Sequence, residues 1–160
     1  MQRNVLICRH AEASDPFPLR PDFERELTKD GIHQAHLAGQ WLRDHFRKVD
    51  AILASPSNRT RTTAGIIAGR LYFEDENITY DPDLYNPRES QLIGALSRLP
   101  ESVTNVLVVS HNPGVTQLGR TLTDKRIGYL EPAQVLAVSI KLEKWEEVHF
   151  TTGTLMSSNM

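Results

Sequence analysis

Apolar positions along the chain fall into short blocks separated by polar and proline-containing stretches. Asn4 to Cys8 (N-V-L-I-C) is apolar without alternation, as in a strand covered on both faces. Residues 11–27 follow with Pro16, Pro18 and Pro21, which break any regular element. Thr28 is then a candidate N-cap, and Ile32, Ala35, Ala38, Leu42 and Phe46 recur behind it at helical spacing. Asp50 to Ala54 reads as a second strand. A helix from about Arg59 to Leu71 would bury Ala64, Ile67, Ala68 and Leu71. Ile78 to Tyr80 suggests a short third strand, and Pro82 and Pro87 mark a loop. Leu92, Ile93, Leu96 and Leu99 form a helix face closed by Pro100. Asn105 to Ser110 is the most strand-like run of all. It breaks at His111-Asn112-Pro113-Gly114, and Val115, Leu118 and Leu122 mark another helix. Val135 to Leu142 and Trp145 to Thr151 alternate around Glu143-Lys144, which predicts a hairpin.

Strands and helices thus alternate four times before a closing hairpin. That order implies the α/β class. The expected architecture is a three-layer α/β/α sandwich with a mostly parallel central sheet and an antiparallel hairpin at the C-terminus. At ~150 residues per domain, the 160 residues predict a single domain over 1–160, with no repeat or linker. Hydrophobic residues make up 39% of the chain, which excludes a disordered polymer. A net charge of −2 argues against nucleic acid as a partner. No run approaches the ~20 apolar residues that span a bilayer, so no membrane partner is expected. The short apolar run after Asn4 is too brief for a signal-peptide core. Cys8, the single cysteine, can form no internal disulfide. The expected location is the cytoplasm.

Candidate chemistry sits where strands end. Ligands of open α/β sheets bind beyond the carboxyl ends of the strands. The first strand ends in Arg9-His10, the second leads through Ser55-Pro56 to Arg59, and the fourth ends in Ser110-His111. Each residue alone has a plain structural reading: a solvated arginine, a capping or core histidine. A parallel sheet, however, would bring all of them to one rim. Two guanidinium groups can hold phosphoryl oxygens through paired hydrogen bonds. A neutral imidazole can attack phosphorus through one nitrogen while an acceptor fixes its other N–H. A second imidazole can donate to another oxygen, and the helix after Pro113 would aim amide groups at the same place. Phosphoryl transfer by such a clamp calls for no metal and no cofactor.

At these residues the sequence resembles the histidine phosphatase superfamily, with its phosphoglycerate-mutase-like fold. Arg9-His10-Ala11 is similar to the family's opening Arg-His-Gly. Ser55-Pro56-Ser57-Asn58-Arg59-Thr60-Arg61-Thr62-Thr63 matches Ser-Pro-x-x-Arg-x-x-x-Thr. Val108-Val109-Ser110-His111-Asn112-Pro113 resembles the segment of its last histidine, and Leu27-Thr28-Lys29-Asp30-Gly31 matches Leu-Thr-x-x-Gly. The resemblance implies that His10 is the nucleophile and that Arg9, Arg59 and His111 form the phosphate pocket. The short chain looks most like the SixA-type phosphohistidine phosphatases. Its implied partner is a phosphorylated histidine-containing phosphotransfer protein. Two departures stand out. Ala11 replaces a glycine, which strains the backbone if the position needs positive φ and serves if it needs only a small side chain. Arg25-Glu26-Leu27-Thr28 replaces Arg-Pro-Leu-Thr; Arg25 either reaches the pocket or is a solvated loop arginine.

Substrate class turns on a proton. Expelling an alkoxide needs a general acid. Glu89, ahead of a helix, is the candidate, or else a first-turn glutamate favoured by the helix dipole. Glu12 and Asp15 are weaker candidates. The imidazole of phosphohistidine, with a conjugate acid of pKa ~6.5, can leave already protonated. The remaining candidate for substrate binding is Asn112. His33 and His36 lie three apart but lack a third ligand with supporting spacing, so no metal site is assigned. Cys8, beside a cationic pocket, is either reactive or a buried strand thiol. The alternatives to a phosphohistidine phosphatase are a sugar or nucleotide phosphomonoesterase acting on a small phosphate ester, and a non-catalytic phosphate- or phosphoprotein-binding module. With so short a chain, a shallow and uncovered pocket is expected.

Overall fold

The computed structural model describes residues 1–15 and 20–160. Pro16 and Pro18 lie outside the described residues. Pro21 precedes a short 3-10 turn, Asp22–Glu24. Six strands form one sheet: β1 (Gln2–Arg9), β2 (Ala51–Ala54), β3 (Thr79–Tyr80), β4 (Asn105–Ser110), β5 (Val135–Lys141) and β6 (Thr154–Ser158). Their spatial order is β3-β2-β4-β1-β5-β6. The first four in that order are parallel neighbours. β5 runs antiparallel to both β1 and β6. This is the expected mixed sheet of an α/β sandwich.

The apolar strands lack alternation because both faces are covered. Along β1, Val5 and Ile7 enter one core while Leu6 and Cys8 enter the other. Along β4, Val106 and Val108 divide from Leu107 and Val109 in the same way. Helices α1 (Lys29–Phe46) and α2 (Asn58–Arg70) cover one face; α3 (Glu89–Ser97) and α4 (Gly114–Thr123) cover the other. Among the described residues, no helix is long and apolar enough to cross a membrane.

Thr28 caps α1 as expected, its side chain accepting from the Gly31 amide at 3.0 Å. The buried face of α1 nevertheless differs from the apolar stripe. It consists of Gly31, Ala35, Ala38, Gly39 and Leu42, while Ile32 is 42% exposed. Close approach selects small residues here. A Cβ at Gly39 would lie 2.8 Å from Cβ of Arg70 on α2, and one at Gly31 would overlap the Glu12 carbonyl oxygen.

The C-terminal pairing also needs correction. β5 has no tight-turn partner at residues 145–151. Trp145–His149 is a 3-10 turn, and the strand antiparallel to β5 is β6, further on. Trp145 and Val148, three residues apart, both turn into the core. The indole donates to the Val103 carbonyl at 3.0 Å. Arg3 reinforces this end of the molecule. Its buried guanidinium donates to the carbonyls of Glu101, Val103, Leu142 and Glu143 and lies 5.3 Å from the Trp145 ring.

Candidate active site

β1 and β4 are parallel neighbours whose following helices cover opposite faces of the sheet. A crevice opens at such a divergence, beyond the carboxyl ends of the strands. His10 and His111 leave the two strands there, with their ring centroids 5.3 Å apart. The His10 amide donates to the Ser110 carbonyl at 3.1 Å, which ties the two strand ends together. Arg59, in the first turn of α2, extends a buried side chain between the imidazoles. The structure thus gathers Arg59, His10 and His111, residues that lie far apart in the sequence.

The protonation state of each ring follows from its partners. His10 Nδ1 faces the Ala11 carbonyl at 2.7 Å and must donate to it, leaving a lone pair on Nε2. Arg59 Nε donates to that nitrogen at 3.3 Å. Arg59 Nη2 lies 3.2 Å from His111 Nδ1, and a guanidinium only donates, so this nitrogen also carries a lone pair. The His111 Nε2–H donates to Ser55 Oγ at 2.8 Å. Burial is the main force holding both rings neutral. It lowers His10 to about 4, opposed by the Ala11 hydrogen bond and assisted by Arg59, Arg9 and Arg25. It lowers His111 to about 3, assisted by Arg59 and then His10.

Ala11 is fully buried in the core beneath α1 and α2 and is not among the residues with positive φ. The position needs a small side chain, and alanine supplies one. The Ala11 amide donates to Thr63 Oγ1 at 3.0 Å, and that hydroxyl donates to the Arg59 carbonyl at 2.8 Å. Helix α2 is thereby fastened to the loop after β1. Arg61, one turn face away, leaves the site altogether and stacks on Tyr80 at 3.8 Å.

Arg9 donates through Nη1 to the Leu130 carbonyl at 3.1 Å, while its Nε is buried without an acceptor among the described residues. Asn112 donates to the same carbonyl at 3.0 Å and accepts from Thr116 Oγ1 at 2.6 Å. It fixes the loop beneath Arg9, and both ends of its amide are engaged. The Val115 amide at the start of α4 is likewise taken by the His111 carbonyl. Arg25 is close enough for its charge to lower both imidazoles, but its donors go to the Ser14 carbonyl and to Asp22.

The structure brings Glu89 to a different neighbour. Its carboxylate accepts from Thr121 Oγ1 at 2.8 Å, in the last turn of α4 and away from the rim where that helix begins. Glu12 accepts from Thr28 Oγ1 at 2.7 Å, and Asp15 is exposed. Burial pushes the Cys8 thiol up to about 12, which makes it an inert core residue. His36 accepts from Arg70 Nε at 3.1 Å. Three further residues, none of them a site candidate from the sequence, meet the residues gathered at the rim. Ser55 orients His111. Asp22 meets Arg59 from the segment before α1. Tyr85 donates to Asp22 at 2.5 Å and stands edge-on to His111 at 5.5 Å. The Asp22 segment lies against Arg59. Ser55 was legible in its Ser-Pro motif; Asp22 and Tyr85 carried no signal.

Comparison with known proteins places these observations. The Histidine phosphatase superfamily (branch 1) matches residues 5–89. The chain is 34% identical to a phosphohistidine phosphatase SixA homolog of Haemophilus influenzae, over 77% of this chain and 79% of that one. Among solved structures, the protein histidine phosphatase SixA complexed with tungstate superposes with a TM-score of 0.80 at 25% identity, covering 99% of this chain and 96% of that one. The phosphoglycerate mutase of Plasmodium falciparum shares the fold, with a TM-score of 0.68 at 20% identity over 98% of this chain and 90% of that one.

Proposed function

We propose that this chain, which belongs to the histidine phosphatase superfamily, branch 1, is a phosphatase that works through a phosphorylated His10 and acts on phosphohistidine carried by another protein. One observation carries the mechanism: two imidazole lone pairs, His10 Nε2 and His111 Nδ1, converge on one edge of the Arg59 guanidinium.

His10 is a nucleophile already in its reactive form. Its Nδ1–H is fixed on the Ala11 carbonyl, and its neutral ring needs no deprotonation near pH 7. In the first step Nε2 forms a bond to phosphorus as the bond from phosphorus to the leaving nitrogen breaks. The Nε and Nη2 of Arg59 take up phosphoryl oxygens where they now meet the two imidazoles. Arg9 offers its unpaired Nε, and Arg25 adds charge. This clamp stabilises the peripheral charge of the transition state. His111 faces the pocket with an acceptor nitrogen. The oxygen it meets therefore shares a proton with Nδ1, and that proton enters with the substrate. In the second step water attacks phosphorus, the bond to His10 Nε2 breaks, and phosphate leaves with His10 neutral again.

The leaving group sets the substrate class. Asp22 stands ionised, Glu89 faces Thr121 and Glu12 faces Thr28. Among the described residues, these three carboxyl groups are engaged with Arg59, Thr121 and Thr28, and none is held out to an alkoxide leaving group. A protonated imidazole needs none, since its conjugate acid has a pKa of ~6.5. That contrast favours a phosphohistidine protein over a sugar or nucleotide ester.

A phosphotransfer protein labelled on histidine with radioactive phosphate tests this reading. Wild type is expected to release phosphate from it faster than from an alkyl phosphate, and a rapid quench to trap label on His10. His10→Ala is expected to lose about a thousandfold or more in turnover and all trapped label. Preference for the alkyl ester would transfer the assignment to a small-molecule phosphatase. Label on serine or cysteine would overturn the mechanism.

A further inference from the structure

We infer that Asp22 is a positioning residue for Arg59, and that Tyr85 in turn sets the Asp22 carboxylate. The inference rests on the proposed reaction, in which one edge of the Arg59 guanidinium grips the phosphoryl group.

A guanidinium presents two paired-donor edges, and Arg59 uses both. Its side edge, Nε and Nη2, faces His10 Nε2 and His111 Nδ1 at 3.3 and 3.2 Å. Its end, Nη1 and Nη2, is clamped among the described residues by Asp22. The Asp22 backbone carbonyl accepts from Nη1 at 2.8 Å, and Oδ2 accepts from Nη2 at 3.1 Å. With both edges engaged, the plane of the guanidinium is fixed. Without the carboxylate, the end edge would keep one bond, from Nη1 to the Asp22 backbone carbonyl, and the plane could turn about it once a phosphoryl group displaces the imidazoles from the side edge. The rotamer entropy of a long arginine side chain works for such turning.

The carboxylate is itself fixed from two further directions. Arg25 Nη1 donates to Oδ1 at 3.0 Å, and the Tyr85 hydroxyl donates to Oδ2 at 2.5 Å. Tyr85 is tied to the end of β4, because the carbonyl of Leu84 accepts from Ser110 Oγ at 2.8 Å. Tyr85 therefore transmits the position of the strand that carries His111 to the carboxylate that orients Arg59. Against an upward push from partial burial, the hydrogen bonds from Tyr85 and Arg25 and the Arg59 charge hold Asp22 at about 2. Its negative charge is present throughout the working range of pH.

A carboxylate among arginines can also act as a stand-in for substrate. The geometry distinguishes the two roles. Asp22 lies on the end of the guanidinium, and the imidazoles lie on its side. A phosphoryl group approaching His10 Nε2 meets the side edge and leaves the Asp22 clamp in place.

The test uses full-length protein and phosphoramidate, a small compound with a phosphorus–nitrogen bond. Asp22→Asn is expected to lower kcat/KM by about 10- to 100-fold, mainly through kcat, because a misplaced catalytic group costs up to about 100-fold. The inhibition constant of inorganic phosphate should rise by a smaller factor. Tyr85→Phe should lower kcat/KM in the same direction but less, and the double variant should be no worse than Asp22→Asn alone. Unchanged kcat/KM in Asp22→Asn would overturn the inference. Tighter phosphate binding in that variant would overturn it too, by showing that the carboxylate occupies the anion's place. Inert wild type would count against the phosphatase reading instead. The positioning role is then read by NMR from the Arg59 Nε–H signal, assigned by its loss in Arg59→Lys. That signal should be sharp in wild type and broadened in Asp22→Asn; an unaltered signal refutes the inference.

Discussion

A histidine at a strand end becomes a nucleophile or a proton carrier according to which nitrogen its neighbours leave without a proton. Here the Ala11 carbonyl claims Nδ1 of His10, and Arg59 claims Nδ1 of His111. The two rings therefore adopt opposite tautomers. Titration of protein labelled with nitrogen-15 in histidine should show His10 protonated at Nδ1 and His111 at Nε2. Burial should keep both neutral down to about pH 5, below the ordinary value of ~6.5. Midpoints between 6 and 7, or a shared tautomer, would remove the basis for a nucleophile that needs no base. Residue identity alone does not separate Arg59 from Arg61. One enters the crevice and the other stacks on Tyr80, because two residues along a helix turns the side chain to another face.

At the scale of elements, α1 shows how an apolar stripe can mislead by one position. Its inner face is built from Gly31, Ala35, Ala38, Gly39 and Leu42 because contact distance, more than hydrophobicity, decides what fits against α2 and the loop after His10. Gly31→Ala would drive a methyl group into the Glu12 carbonyl and move the loop that follows His10. It should cost about 1–3 kcal/mol in urea unfolding, as overpacking does. An equal loss of stability from Ile32→Ala, at an exposed position, would contradict this packing. The same logic separates β5 from the segment after it. Trp145 and Val148, three residues apart, would face opposite sides of a strand, yet both find a buried place on one side of a 3-10 turn. A period-two pattern over a few residues does not distinguish the two conformations.

For the molecule as a whole, the site carries a cost that depends on pH. The folded chain holds His10 and His111 neutral, with values of about 4 and about 3, while the unfolded chain protonates both near the ordinary ~6.5. Below ~6.5 the unfolded state binds more protons, so stability falls with pH until the folded values are passed. Each such histidine contributes a slope of about 1.4 kcal/mol per pH unit within that window. Calorimetry should show the melting temperature dropping between pH 7 and pH 4, and His10→Gln and His111→Gln should each flatten the fall. A melting temperature constant over that interval would show that the rings are not held neutral by the fold.

The sequence by itself determined the order of strands and helices as far as β5, the class of the sheet and the positions of Arg9, His10, Arg59 and His111 at strand ends and a helix start. Each of these is written locally, in an apolar run, an N-cap or a short motif at a strand end. Tertiary structure alone decided how those residues act. The tautomers of His10 and His111 depend on Ala11, Ser55 and Arg59 arriving from three separate segments. The placement of Glu89 against Thr121 depends on how α3 and α4 pack, and the clamp of Asp22 and Tyr85 on Arg59 joins segments that share no local pattern. Hydrogen bonds between distant segments leave no periodicity in a sequence, because their spacing is set by the fold of the chain and by nothing nearer.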